Sequence, residues 1–268
     1  MNRSAISCAN VPFRRITPGS KEHKEQVRAW TQRLLAKEPC VPDGHVFSWN
    51  RGTDEARNTA YLFDAVMCNV QYAQMQLQNA SVCAGKQAYV AALEAAKTYA
   101  HVLTDLLPKW TFVPNEVYGI PDATVQDIYG HYCLARAMAY KSVGKADMKC
   151  NAGAKTASAG NAAHLYAVAA QLVVGDATSM IQSAEESVGD GLASCASRFL
   201  DEWDHDRDAN GAAKALACYR EAHMRYLRAD LPGCQDKVDF AFGRNQVHWI
   251  EPELPDFISM IRARVTAL

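Results

Sequence analysis

Residues 61–107 read YLFDAVMCNVQYAQMQLQNASVCAGKQAYVAALEAAKTYAHVLTDLL, a stretch without proline. Within it Leu62, Val66, Val70, Ala73 and Leu77 are spaced by 4, 4, 3 and 4 residues, and Tyr89, Leu93, Ala96, Ala100, Leu103 and Leu107 by 4, 3, 4, 3 and 4. A strand alternates its faces every second residue, whereas steps of three and four return to one side of an α-helix. The spacing therefore predicts two antiparallel helices hinged near residues 79–85. Thr53-Asp54-Glu55 supplies an N-cap and an acidic first turn for the first helix, and Pro108 ends the second.

Outward from this hairpin the same pattern recurs. Ser20 precedes an amphipathic stretch, residues 22–37, that carries Val27, Trp30, Leu34 and Leu35 and stops before Pro39 and Pro42. After a connection rich in proline and glycine, residues 114–121, helical periodicity resumes at Ile128, Tyr132, Ala135 and Ala139. It returns over residues 157–174 with Ala162, Leu165, Ala169 and Leu172, predicting a second hairpin. A third pair covers residues 179–203, interrupted at Gly189-Asp190-Gly191, and residues 212–228, where Leu216, Tyr219, His223 and Tyr226 share a face. Proline and glycine then return, so residues 247–251 read as an extended segment laid across the helices and residues 255–265 as a short closing helix. The expected fold is all-α: an irregular, tetratricopeptide-like solenoid of antiparallel helix pairs with a short extended C-terminal segment. Residues 1–19 form an N-terminal segment and 20–268 a single helical domain. No 34-residue repeat with the tetratricopeptide pattern is present.

Composition agrees with a packed globule. Hydrophobic residues make up 49% and charged residues 21% of the 268, with only 15 glycines and 10 prolines, which excludes collagen-like and low-complexity classes. A net charge of -1 leaves no global field to draw the chain to nucleic acid or anionic lipid. The longest nearly apolar run, residues 162–174, contains His164 and Gln171 and falls short of the roughly 20 residues of a membrane-spanning helix. The first twenty residues lack a hydrophobic segment of signal-peptide length. The expectation is a soluble, cytoplasmic protein. Its nine cysteines, with no CxxC, are read as reduced thiols filling small core positions.

The segments that resemble chemical motifs are incomplete. Asp206-Arg207-Asp208-Ala209-Asn210-Gly211 opens like a calcium loop, but its twelfth position is Ala217 where a bidentate Glu is needed, and acidic residues at a helix N-terminus explain the run without metal. Lys155-Thr156 is preceded by alanine where a phosphate loop needs glycine. GxGxxG, GxSxG and HExxH are absent, and the eight histidines lack metal-ligand spacing. His131 and Cys133, two apart, face away from each other on a helix. Arg14, Arg15, Lys21 and Lys24 form a basic cluster read as a solvated face. The sequence accordingly assigns no catalytic, cofactor-binding or metal residues, and no cofactor or nucleic-acid partner.

Several segments, in order over residues 45–256, resemble the Bro (Bro-one, ALIX-like) domain of adaptors of the endosomal sorting machinery. Phe47-Ser48-Trp49 resembles the family's Phe-x-Trp. Leu62-Phe63-Asp64, Val66-Met67-Cys68-Asn69 and Ala73-Gln74 are similar to the helix that follows. Tyr132-Cys133-Leu134-Ala135-Arg136-Ala137 resembles its leucine-alanine-glutamine-alanine helix, Ala154-Lys155 with Tyr166 the next, and Leu216-Ala217-Cys218-Tyr219-Arg220 a later one. Asn245, Trp249, Glu251 and Leu254-Pro255 are similar to the return strand, with one extra residue. The segment before Phe-x-Trp and that between Tyr226 and Asn245 are shorter than in the family. The resemblance implies a curved helical solenoid, a non-enzymatic adaptor that takes the amphipathic C-terminal helix of an ESCRT-III-like subunit into an apolar groove, and recruitment to endosomal membranes through partners. Carried onto this chain, the groove falls at Tyr140, Val143, Met148 and Ala154. Here Lys141 stands beside Tyr140, and Ala154 and Ser158 replace large anchors. Tyr140, Val143 and Met148 therefore either rebuild an apolar patch one turn away or form the buried face of their hairpin. The alternative function is a structural or cytoskeletal scaffold that keeps the helical fold and assembles through another face.

Overall fold

The computed structural model describes residues 17, 19–36, 47–51, 54–58, 61–112, 122–143, 151–173, 175, 177–206, 209–231 and 234–237. In chain order these contain α1 (Lys21–Leu35), β1 (Phe47–Arg51), β2 (Asp54–Asn58), α2 (Tyr61–Val82), α3 (Gly85–His101), α4 (Asp122–Val143), α5 (Ala152–Leu172), α6 (Ala177–Asp206) and α7 (Ala209–Ala229). Apart from the β hairpin the architecture is helical, as expected. None of the described helices is long and apolar enough to cross a membrane. The expected extended segment 247–251, the closing helix 255–265, Met148 and the N-terminal pair Arg14-Arg15 lie outside the described residues. The chain divides into two compact units, one of Met1–Cys83 with Val90–Ala135, the other of Ala84–Tyr89 with Arg136–Leu268.

In the first unit α1 starts where the sequence indicates. The Ser20 hydroxyl accepts from the His23 N–H at 3.2 Å, and Gly19, at φ +79, turns the chain into the helix. A side chain at Gly19 would place its Cβ 2.5 Å from Asn79 Nδ2, and the Gly19 carbonyl accepts from Gln76 Nε2 at 2.8 Å. Glycine is favoured there by its backbone conformation, while the neighbouring Asn79 and Gln76 side-chain tips leave little room for a Cβ. The face of α1 that is buried carries His23, Val27, Thr31 and Leu34, while Leu35 remains exposed. Its polar members are matched: Asn69 Nδ2 donates to Thr31 Oγ1 at 2.8 Å, and Trp30 Nε1 to Asp64 Oδ2 at 3.1 Å.

Thr53-Asp54-Glu55 does not cap α2. Asp54–Asn58 instead pairs antiparallel with Phe47–Arg51, Phe47 opposite Asn58 and Arg51 opposite Asp54, and α2 begins at Tyr61. Only Gly52 and Thr53 separate the paired residues, a hairpin spacing with glycine first, and Asp-Glu-Ala-Arg-Asn offers no apolar stripe for a helix to bury. A second correction concerns α3. Its buried positions include Ala88, Ala92, Ala95 and Tyr99, continuing to Val102 and Leu106, each one residue before a member of the expected stripe; of the stripe itself Ala96 is buried too, as is Ala91 nearby. Small alanines allow close approach, so they take the interface while Leu93 and Leu103 are only half-buried. Nor does the helix stop before Pro108. It widens into a π turn over Val102–Leu106, where the Leu107 N–H reaches the Val102 carbonyl, and then tightens into a 3-10 turn over Leu107–Phe112. Proline removes a donor and crowds the carbonyl four residues earlier, and the change of helical pitch absorbs both effects.

In the second unit α5 packs on α6 and α6 on α7. Asn151 caps α5, its Oδ1 accepting from the Ala154 N–H at 2.8 Å. The helix buries Ala159, Ala162, Ala163, Tyr166 and Ala169. The expected break at Gly189-Asp190-Gly191 is absent: α6 is continuous for 30 residues. These glycines serve packing. A Cβ on Gly189 would come within 2.7 Å of Tyr226 Cδ1, and one on Gly191 within 3.3 Å of the Ala159 Cβ, so α7 and α5 approach the same turn of α6 from two sides. The hydrophobic contacts of this layer join Leu192 to Ala222 and Tyr226, and Ala196 to Ala215, Cys218 and Tyr219.

Candidate functional site

The last turns of α4 and helices α5, α6 and α7 line a cavity of about 350 Å³ that is open to solvent on one side. Tyr140 and Lys141 reach it from α4, Lys155 and Ser158 from α5, Asp190 and Ser194 from α6. Its chemistry is set by charges that the alanine-rich packing forces together. Glu186, one turn before Asp190 on α6, is buried. One of its oxygens accepts from Lys141 Nζ, and the other from Lys237 Nζ at 2.7 Å. Lys237 also donates to Asp190 Oδ1 at 2.7 Å, which accepts the Tyr226 hydroxyl at 2.9 Å.

Lys237 arrives from beyond α7 because the chain reverses at Asp230. That residue adopts φ +45, a left-handed helix ending that aspartate tolerates better than bulkier residues, and the Cys234 N–H then closes a turn on the Leu231 carbonyl at 3.0 Å. The two ammonium groups also lie over aromatic rings, Lys141 at 5.6 Å from the Tyr166 centroid and Lys237 at 5.4 Å from that of Tyr226.

Burial by itself would raise the Glu186 carboxyl, but Lys141 and Lys237 outweigh it and hold it at about 2. Burial would likewise lower Lys237, yet Asp190 and Glu186 raise it above the ordinary lysine value. Burial and neighbouring carboxylates push the Tyr166 and Tyr226 hydroxyls up. Glu186 is thereby held ionised, Lys237 protonated and the two tyrosine hydroxyls neutral at neutral pH. At the rim, Lys155 is exposed and makes no ion pair among the described residues.

Of the expected partner-binding residues, Tyr140 lines the cavity. Its hydroxyl accepts from Arg136 Nη2 at 2.8 Å, and the guanidinium lies 5.3 Å from its ring centroid. Val143, at the end of α4, is half-buried, and Ala154, in the first turn of α5, is exposed. Lys141 had looked like an obstacle to an apolar groove, but it is turned inward onto Glu186. Sequence reasoning missed Glu186, Asp190 and Lys237. Their only local signal is a pair of acids one helical turn apart on a helix otherwise rich in small residues, and Lys237 lies 47 positions beyond Asp190.

The other motif fragments stay apart. Asp206 ends α6 and Ala209 opens α7, so the run that resembles a calcium loop is divided between two helices. No group of three or more potential metal ligands occurs among the described residues. The His131 ring is engaged 2.9 Å from the Asp127 carbonyl and 5.9 Å from the Tyr99 ring. The six described cysteines are free thiols, and burial pushes that of Cys218 up to about 12. No known family model matches the chain, and no curated protein sequence matches it.

Proposed function

We propose that the protein is a non-enzymatic adaptor whose second unit receives an amphipathic helix of an ESCRT-III-like partner, with its helix pairs arranged as an irregular tetratricopeptide-like solenoid of the Bro type. The observation that carries this reading is the cavity beside Tyr140 and Lys155. There an aromatic wall adjoins Lys155, a cation with no ion pair among the described residues, while the charges beneath are already neutralised by one another. An apolar side chain of the partner packs on the Tyr140 ring, and an acidic side chain one turn away on its helix pairs with Lys155. The ordered resemblance over residues 45–256 supports the partner class, and cytoplasmic residence with recruitment to endosomal membranes follows from it. Titrating a fluorescently labelled C-terminal peptide of an ESCRT-III subunit against the protein tests the assignment. Saturable binding is expected, at least tenfold weaker in Tyr140→Asp, which sets a carboxylate in the wall, and weaker in Lys155→Glu. Absence of saturable binding would remove the partner.

One observation favours the scaffold alternative. Met224 and Leu227, three residues apart on α7, are 46% and 49% exposed, an apolar patch on a face distant in sequence from Tyr140. A Met224→Ser/Leu227→Ser variant that changes the oligomeric state while leaving the peptide titration intact would select this reading.

A further inference from the structure

The first unit holds a separate cleft of about 430 Å³ formed by α1, α2, α3 and the turns that follow α3. Its charge is one-sided. Lys24, Arg28, Lys97 and Lys109 line it against a single lining carboxylate, Glu94, and that carboxylate is already engaged by Lys24 at 2.6 Å. Arg28 and Lys97 make no ion pair among the described residues, and Lys109 is attracted to Asp105 only at longer range. His101 also lines the cleft, its Nδ1 2.6 Å from Asp105 Oδ2.

The placement follows from helical spacing. Lys24 and Arg28 stand one turn apart on α1, as do Lys97 and His101 on α3, so two basic rows face one space. Lys24 and Arg28 are like charges one turn apart and repel each other, and an anion between them and Lys97 offsets that repulsion. In a chain whose net charge is only -1, this concentration is a local feature and not the expression of a basic protein. The floor is firm. Val27, Tyr72 and Leu106 are buried, and Asn69 is fixed to Thr31 at 2.8 Å. Burial, reinforced by Glu94, pushes the Tyr72 hydroxyl up to about 12, so it stays neutral.

The volume suits a small molecule. A phosphoryl group concentrates up to two charges on three acceptor oxygens, which matches several ammonium donors and the planar fork of an arginine. We propose that the Lys24–Arg28–Lys97–Lys109 cleft binds a small, multiply phosphorylated anion, either free or as the head group of a lipid.

Calorimetric titration of the full chain with tripolyphosphate tests this directly. Saturable binding is expected, weakened at least tenfold in Arg28→Glu and in Lys97→Glu and falling as salt is raised, but unchanged in Lys86→Glu, an exposed α3 lysine outside the cleft. Melting curves of the three variants check that each remains folded. Flotation with vesicles containing phosphatidylinositol bisphosphate separates the two sources: flotation lost in Arg28→Glu and Lys97→Glu assigns the lipid head group, and soluble binding alone assigns the free anion. No saturable binding, wild-type affinity in both cleft variants, or an equal loss in Lys86→Glu would overturn the proposal.

Discussion

Glu186 keeps only 9% of its side chain exposed, yet it is ionised, because two ammonium groups replace the water it has lost. Removing it leaves Lys141 and Lys237 without their shared partner. Glu186→Ala is therefore expected to destabilise the protein by roughly 3–5 kcal/mol in urea unfolding. Adding Lys141→Met to Glu186→Leu should restore part of the loss, since the two changes are coupled through one contact. The same carboxyl gives a pH signature. It lies at about 2 in the folded chain against an ordinary value of 4.5, so its stabilisation is complete above about 4.5 and disappears as the pH falls through about 2. The wild type should lose about 3 kcal/mol more than Glu186→Gln over that interval, read from urea midpoints at a series of pH values. Equal pH dependence in the two proteins would contradict the assignment.

At the scale of the element, glycine has opposite consequences in two neighbouring helices. Gly160 on α5 has nothing within 4 Å of the position a Cβ would take, so Gly160→Ala should stabilise by about 0.5–1 kcal/mol through helix propensity alone. Gly189 on α6 faces the Tyr226 ring, so Gly189→Ala gains the same propensity and loses more to overpacking. It should destabilise by about 1–3 kcal/mol, with thermal melts of both variants giving the comparison. A glycine inside a helical pattern has two readings, a break or a close contact, and only the neighbouring helix decides between them. The face of α3 was ambiguous in the same way. Both the 89–107 series and the 88–106 series carry apolar residues at helical spacing, and burial went mainly to the second, with Ala96 the member of the first that it also took.

For the molecule as a whole, both compact units bury many small side chains in their cores, and four of the six described thiols belong to those cores. Iodoacetamide at pH 8 should modify Cys83 and Cys195, which are half-buried, well before Cys68, Cys133, Cys218 and Cys234, which react only after denaturant is added. Peptide mass spectrometry as a function of time reads the order, and rapid modification of Cys218 in the native protein would contradict the packing. Charge is distributed as unevenly as apolar surface. The second unit neutralises Lys141 and Lys237 internally at Glu186 and Asp190, whereas in the first Arg28 and Lys97 line an open cleft without an ion pair among the described residues. A net charge near zero concealed both arrangements.

Local rules were enough to fix the helical class, the Ser20 cap and the position of the break between α2 and α3, because capping and helical periodicity act within a few residues of chain. Tertiary structure alone decided that Asp54–Asn58 pairs as a strand, that α6 runs unbroken through Gly189, and that Glu186 meets Lys141 and Lys237 across 45 and 51 positions. The cationic cleft belongs to the same class: Lys24 reads locally as part of a solvated basic face, and only the docking of α1 beside α3 brings it opposite Lys97. Electrostatic energy depends on distance through space, and a sequence records distance only along the chain.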